Sequence, residues 1–402
     1  MLRGALPVRW NPVAAVLAFI GVGAVAGLPF LRVAPNRLVS GEAVSLLRTL
    51  DGPSWGWLAL LLALMLAPLL RPTRAVLWFQ VIGAVALLAG LLAVAGSYAS
   101  QVALTESPLA RTALGGAFWT LLIVLWLTVV DALQRLQVGL AVRIAVLLMA
   151  VILFSLPLLS GACDALSIMK EWANQSGVFG AAVLRHIAIV LAALLPTLCL
   201  GLPLGWWVCK SARGRQALFP VLNIIQTIPS IALFGLLMAP LALLAAAYPT
   251  LARAGISGVG MAPGVIALIL YSLLPVVRGT LAGLEQVPAA VREAARGMGM
   301  SPLQIFYRVE VPLALPVLLA GARTATNQAI GLAAVTALIG AGGLGAIMFE
   351  GLFSSAHDLV LLGVLPIVAL AVLADTAFKV LITVTQGPQT RLATGPQAAL
   401  QP

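Results

Sequence analysis

The sequence predicts an all-α, polytopic membrane protein of about ten transmembrane helices, and three observations carry that prediction. Hydrophobic residues make up 62% of its 402 positions and charged residues only 9%, against roughly 25% charged in soluble domains. Apolar runs near the length needed to cross about 30 Å of hydrocarbon recur along the chain. The basic residues, which give a net charge of +11, stand singly or in pairs between those runs. That spacing fits orientation of spans by the positive-inside effect and argues against a nucleic-acid interface, which needs a basic stripe with interleaved aromatics. The cysteines, Cys163, Cys199 and Cys209, form no CxxC pair and suggest neither a metal site nor a disulfide framework.

The predicted spans run in order over 11–31, 55–70, 75–97, 115–134, 144–160, 181–208, 217–240, 263–283, 312–340 and 358–382. Arg3, an apolar core and Ala24-Val25-Ala26 make the first run look like a secretory signal. Its apolar stretch is longer than a signal core, so it is read as an uncleaved span. With the N-terminus cytoplasmic, fifteen of the 23 Lys and Arg lie inside and seven outside, and Arg323 falls within a span. Residues 1–175 form an N-terminal membrane region of about five helices, rich in Leu, Ala and Val, with Trp10, Trp55 and Trp57 near interfaces. Residues 176–385 hold more Pro, Gly, Gln, Asn and Thr within spans, the character of a working core, and 386–402 form a short polar tail. The boundary is placed in the polar segment between Cys163 and Gly180.

The eighth and ninth spans are joined by a long amphipathic loop over 285–311, which the charge count places in the cytoplasm. It carries its own helix signals. Pro288 suits a first helical turn, Ala289 to Arg296 are mostly good helix formers, and Gly297 and Gly299 supply a stop. Ser301-Pro302-Leu303-Gln304 is a capping box with proline at the first helical position, predicting a second short helix. Two short helices outside the bilayer suggest a docking surface for a soluble partner. The charges balance (Glu285, Glu293 and Glu310 against Arg292, Arg296 and Arg308), which argues against a mere anionic-lipid anchor.

Glu293-Ala294-Ala295, three residues, Gly299, nine residues, then Val309-Glu310-Val311-Pro312 resembles the EAA loop of binding-protein-dependent ABC importer permeases, with valines in place of isoleucine and leucine. GLPLG from Gly201, QTIPSIALF from Gln226, VPLALPVLLAGARTA from Val311 and ALIGAGGLG from Ala337 are similar to the osmoprotectant branch, the glycine betaine, choline and carnitine importers. The resemblance covers roughly 180–385; the long N-terminal extension resembles the YehY-type subgroup. It implies a C-terminal five-helix, MetI-like permease core that binds no cofactor, ATP being used by a partner. The implied partners are ABC ATPase subunits, an extracytoplasmic (periplasmic) solute-binding protein and a second permease subunit, identical or a paralogue. The implied location is a bacterial cytoplasmic (inner) membrane. By position, Glu293, Ala294, Ala295, Gly299, Ser301 and Pro312 inherit the ATPase-coupling role.

Polar residues within the core spans mark candidates for a solute path. Asn223, Gln226, Thr227 and Ser230 share one face of a continuous helix, where Pro229 is expected to bend it and bare carbonyls. Thr324, Asn327 and Gln328 form a second patch. The competing role for both is hydrogen bonding between helices. Gly340, Gly342 and Gly345 satisfy G-x-G-x-x-G, but an apolar run and no βαβ unit surround them, so a tight extracytoplasmic turn or close helix packing is expected rather than a dinucleotide site. No GxxxxGK[ST], HExxH or Ser-His-Asp arrangement occurs, so neither ATP hydrolysis nor another enzymatic reaction is expected of this chain. A secondary transporter driven by an ion gradient is the alternative, disfavoured by the scarcity of intramembrane acids.

Overall fold

The computed structural model describes residues 11–37, 39, 41–70, 73–253 and 255–385. The expected polar tail over 386–402, and the cations Arg3, Arg9, Arg71 and Arg391, lie outside the described residues. The chain divides into two compact units, Met1–Asn174 and Gln175–Pro402.

The first unit begins with α1 (Pro12–Gly27), capped by Asn11, whose side chain accepts from Ala14 N–H. Strands β1 (Leu31–Ala34) and β2 (Glu42–Val44) follow, then a single turn, α2 (Leu46–Thr49), and the helices α3 (Trp55–Leu70) and α4 (Arg74–Thr105). Strand β3 (Arg111–Leu114) completes a small antiparallel sheet of order β2-β1-β3, with Leu31 opposite both Val44 and Leu114. Helices α5 (Gly116–Arg135) and α6 (Leu140–Leu159) close the bundle. Next comes the 44-residue α7 (Ser167–Lys210). At about 1.5 Å per residue it is roughly 66 Å along its path, twice the hydrocarbon thickness, with Pro196 and Pro203 inside it.

The start of α7 is fastened within this unit. Glu171, only 3% exposed, meets Arg37 at 3.2 Å and Arg111 at 3.3 Å. Lys170 Nζ donates to the carbonyls of Pro108 and Ala110. Cys163, just before α7, is buried with its thiol pushed up to about 11 by desolvation and, secondarily, by Asp164.

The second unit continues with α8 (Ala212–Thr227), α9 (Ser230–Ala247), the short α10 (Pro249–Arg253) and α11 (Met261–Glu285). Then come α12 (Ala289–Gly297), α13 (Pro302–Ile305), a π-turn at Phe306–Glu310, α14 (Val311–Val335), α15 (Leu344–Phe353) and α16 (His357–Thr385). Helices α11 and α14 make backbone contact: a Cβ on Gly279 would lie 2.8 Å from the Cα of Gly321. Gly279 and Gly283 form a GxxxG pair on this face, the small-residue seam that lets membrane helices approach closely.

Eight described helices are long and apolar enough to cross a membrane. The first two of the ten expected spans form the 16-residue helices α1 and α3, about 24 Å each and short of the hydrocarbon thickness. The expected single span over 217–240 is broken. Ile228 is extended (ψ 128), the geometry favoured for a residue before a proline, and α9 starts afresh after Pro229. Conversely, the second loop helix is continuous with the following span, one rod from Pro302 to Ile339. Pro312 cannot donate to the carbonyl four residues back, and the widened π-turn immediately before α14 accommodates its ring. The glycines after α14 do form a turn, with Gly340, Gly342 and Gly343 all at φ near 80°, and Gly343 caps the unexpected helix α15.

Candidate functional site

The loop over 285–311 has the two helix starts and the capping box that the sequence predicts, but its second helix runs on into α14 and its two glycines divide their roles. Gly297 is the last helical residue of α12, and Gly299 alone provides the left-handed step, at φ +78°. Gly299 N–H bonds the Arg296 carbonyl and Met300 N–H the Ala295 carbonyl, which together make a Schellman close. Ser301 Oγ then accepts from Gln304 N–H while Gln304 Oε1 accepts from Ser301 N–H, the reciprocal capping box. Glu293, Ala294 and Gly299 are exposed, whereas Ala295 is 1% exposed and seats α12 on the molecule.

Two residues tie this projecting loop to the spans. Arg292 Nε donates to Glu310 Oε1 at 2.7 Å, and its Nη2 donates to the Leu284 carbonyl at 2.7 Å. One guanidinium thus joins α12 to the end of α11 and to the π-turn that leads into α14. Glu310 is 6% exposed, so removing Arg292 would leave a nearly buried carboxylate without its cation. Arg215 Nη2 adds a 2.6 Å bond to Glu285, linking α8 to the loop's first residue. Beneath the loop, the ends of α7, α11 and α14 help enclose a cleft of about 900 Å³.

The expected polar stripe is split by the break at Pro229, leaving Asn223, Gln226 and Thr227 on α8 and Ser230 at the start of α9. Asn223 accepts from Arg278 at 2.7 Å, Arg278 itself lying 6.0 Å from the centre of the Phe219 ring. Pro275 has no N–H for the Tyr271 carbonyl, and Gln226 Nε2 donates to it instead, at 2.5 Å. Tyr271 Oη returns a bond to the carbonyl of Ile228, at the α8–α9 break. Thr227 and Thr324 bond carbonyls of their own helices.

Asn327 joins a cluster that sequence reasoning missed. Asp375 of α16 accepts from Arg323 at 2.5 Å, from Asn327 at 3.2 Å and from Lys379 at 2.8 Å. The sequence signals were an arginine inside one span and an acid inside another. Nothing in a single sequence pairs positions that lie 52 apart.

The family described as "Binding-protein-dependent transport system inner membrane component" matches residues 198–383. "ABC transporter permease YehY, N-terminal domain" matches residues 9–169. Among curated relatives, the osmoprotectant import permease protein OsmW of Salmonella typhimurium is 37% identical over 50% of this chain and 89% of its own length. The choline transport system permease protein OpuBB of Bacillus subtilis is 36% identical over 49% of this chain and 83% of its own. Among solved structures, a chain of the inward-facing MetNI methionine ABC transporter is 23% identical, with a TM-score of 0.45, over 53% of this chain and 99% of that one.

Proposed function

The chain belongs to the permease subunits of binding-protein-dependent ABC importers, and from that premise we propose that it carries a quaternary-amine osmoprotectant, glycine betaine first, across a bacterial cytoplasmic membrane. It is a multi-pass membrane protein and a transport subunit rather than an enzyme. Its partners in this reading are a pair of ABC ATPase subunits, a second permease subunit and an extracytoplasmic solute receptor. ATP binds the ATPase pair, and this chain supplies the path. Family membership removes the ground for an ion-gradient carrier.

The observation that carries the coupling assignment is the Arg292 brace. A docking helix transmits force only if it cannot pivot independently of the spans. Here one side chain bonds α12, the end of α11 and the start of the α14 rod together. Exposed Glu293 and Ala294 face outward from that brace, available to a partner, while Ser301 and Pro312 set the start of α13 and the π-turn. Motion of the loop then moves α11 and α14 together, and their close glycine seam favours rigid-body motion of the pair. Nucleotide drives the cycle only through tighter binding to one of the two conformations. Asn223, Gln226, Thr227, Ser230, Thr324 and Asn327 remain our assignment for the polar path. Contacts to Arg278, Tyr271 and Asp375 supply its structural half.

The test is co-purification with the co-expressed ATPase subunit, alongside uptake of radiolabelled glycine betaine. Glu293→Arg and Gly299→Val are expected to lower both at least tenfold while the chain still inserts. Intact ATPase capture and uptake in both variants would refute the coupling role. Normal capture without betaine uptake in the unaltered protein would refute only the substrate.

A further inference from the structure

We propose that the cleft of about 900 Å³ beneath the loop binds an anionic phospholipid of the phosphatidylglycerol class, headgroup toward the loop and acyl chains between the spans. The volume lies at the upper end of the roughly 300–1,000 Å³ of ordinary ligand pockets. The spans contribute the apolar side chains of Leu202 on α7, Leu284 on α11 and Leu318 on α14, together with the hydroxyl of Thr280. The charged part of the lining is Lys210 at the end of α7 with Arg292 and Arg296 on α12, against the single carboxylate of Glu310, while Met300, Leu303, Ile305 and Phe306 keep the rest of the loop's wall apolar.

Arg292 and Glu310 neutralise each other at 2.7 Å. Lys210 and Arg296 form no ion pair among the described residues, so the lining carries two cations free to meet an anion. Trp206 and Tyr307 line the same region, with Trp206 edge-on to Phe306 at 6.1 Å. Tryptophan and tyrosine beside lysine and arginine, at the point where spans leave the bilayer, are the side chains that settle at headgroup level. Basic pockets between spans on the cytoplasmic side suit anionic headgroups, each Lys or Arg near the surface contributing about 1 kcal/mol, or roughly fivefold in affinity.

A transported quaternary ammonium gains nothing from these cations, because it carries the same sign of charge. A free anion would use the two cations but leave the apolar majority of the lining unoccupied. An acidic lipid satisfies both halves. This proposal depends on α7 and α14 crossing the membrane, not on the loop's role in coupling.

Native mass spectrometry of the detergent-solubilised full chain, titrated with dimyristoyl-phosphatidylglycerol or its phosphatidylcholine counterpart, tests it. Retention of at least one phosphatidylglycerol, about tenfold stronger than of phosphatidylcholine, is expected. Lys210→Gln with Arg296→Gln should remove that preference, and the charge-preserving pair Lys210→Arg with Arg296→Lys should keep it. Inorganic phosphate at millimolar concentration should not displace the lipid. Equal retention of both lipids, unchanged preference in the neutralised variant, or displacement by phosphate would each overturn the proposal. So would expulsion of the lipid on adding the ATPase subunit, which would make the cleft the partner's. None of these outcomes depends on whether glycine betaine is transported.

Discussion

At the scale of single residues, the two glycines of the loop make opposite demands. Gly299 sits at φ +78° and Gly297 within helix α12, and neither has an atom within 4 Å of where a Cβ would stand. Backbone preference alone therefore decides each substitution. Gly299→Ala places an L-residue in the left-handed region and should cost about 1–2 kcal/mol of local stability. Gly297→Ala removes a poor helix former and should add up to about 1 kcal/mol. Amide hydrogen exchange over 294–300 reads both: protection should fall in the first variant and rise in the second. The reverse pattern would contradict the Schellman close. Gln226 shows a different economy, since its amide bonds a carbonyl that Pro275 leaves without its helical donor. Proline is tolerated inside a span when a neighbouring helix replaces the missing bond.

At the scale of elements, the α11–α14 pair is the best-defined seam of the second unit. A Cβ on Gly279 would lie 2.8 Å from Gly321 Cα, and one on Gly283 would lie 2.9 Å from the Ala314 carbonyl oxygen. Both obstacles are backbone atoms, which cannot rotate away. Gly279→Ala should destabilise the protein by about 1–3 kcal/mol through overpacking, and Gly279→Leu should prevent stable packing of the pair. Thermal unfolding in detergent, followed by size-exclusion fluorescence, would show a graded loss. Full tolerance of leucine would mean that the helices do not touch there. The loop helices and the capping box were readable from the sequence, because each depends on residues within a few positions; which glycines face a neighbouring helix was not. The sheet was not: LRVA, EAV and RTAL are too short to show alternation between apolar spans. The π-turn and the break at Pro229 follow from prolines that were visible. Whether each would bend, widen or end its helix depends on tertiary donors. The Asp375 cluster depends wholly on tertiary packing.

At the scale of the whole molecule, direction across the membrane is the property on which the assignment of the loop depends. Gly260 N–H bonds the Ile339 carbonyl at 2.6 Å, so the start of α11 and the end of α14 meet at one end of the pair. The 25-residue helices α11 and α14 are each about 38 Å long and carry the chain from that end to the 285–311 loop at the other. Counting α1 and α3 as traverses leaves an even number before the loop, which puts it on the side of the N-terminus. The excess of Lys and Arg assigns that side to the cytoplasm. Val259 is 57% exposed at one end and Met298 is 70% exposed at the other, so each can report its side as a lone cysteine. With the three native cysteines replaced by serine, an impermeant maleimide should label Val259→Cys in intact cells and Met298→Cys only after lysis. The opposite pattern would place the loop away from every cytosolic ATPase, and the coupling role would fall with it. Labelling of both sites in intact cells would show that α11 does not separate them, contradicting its assignment as a span. The expected pattern requires that each of the short helices α1 and α3 crosses the bilayer, or that neither does, because losing one alone would invert everything downstream.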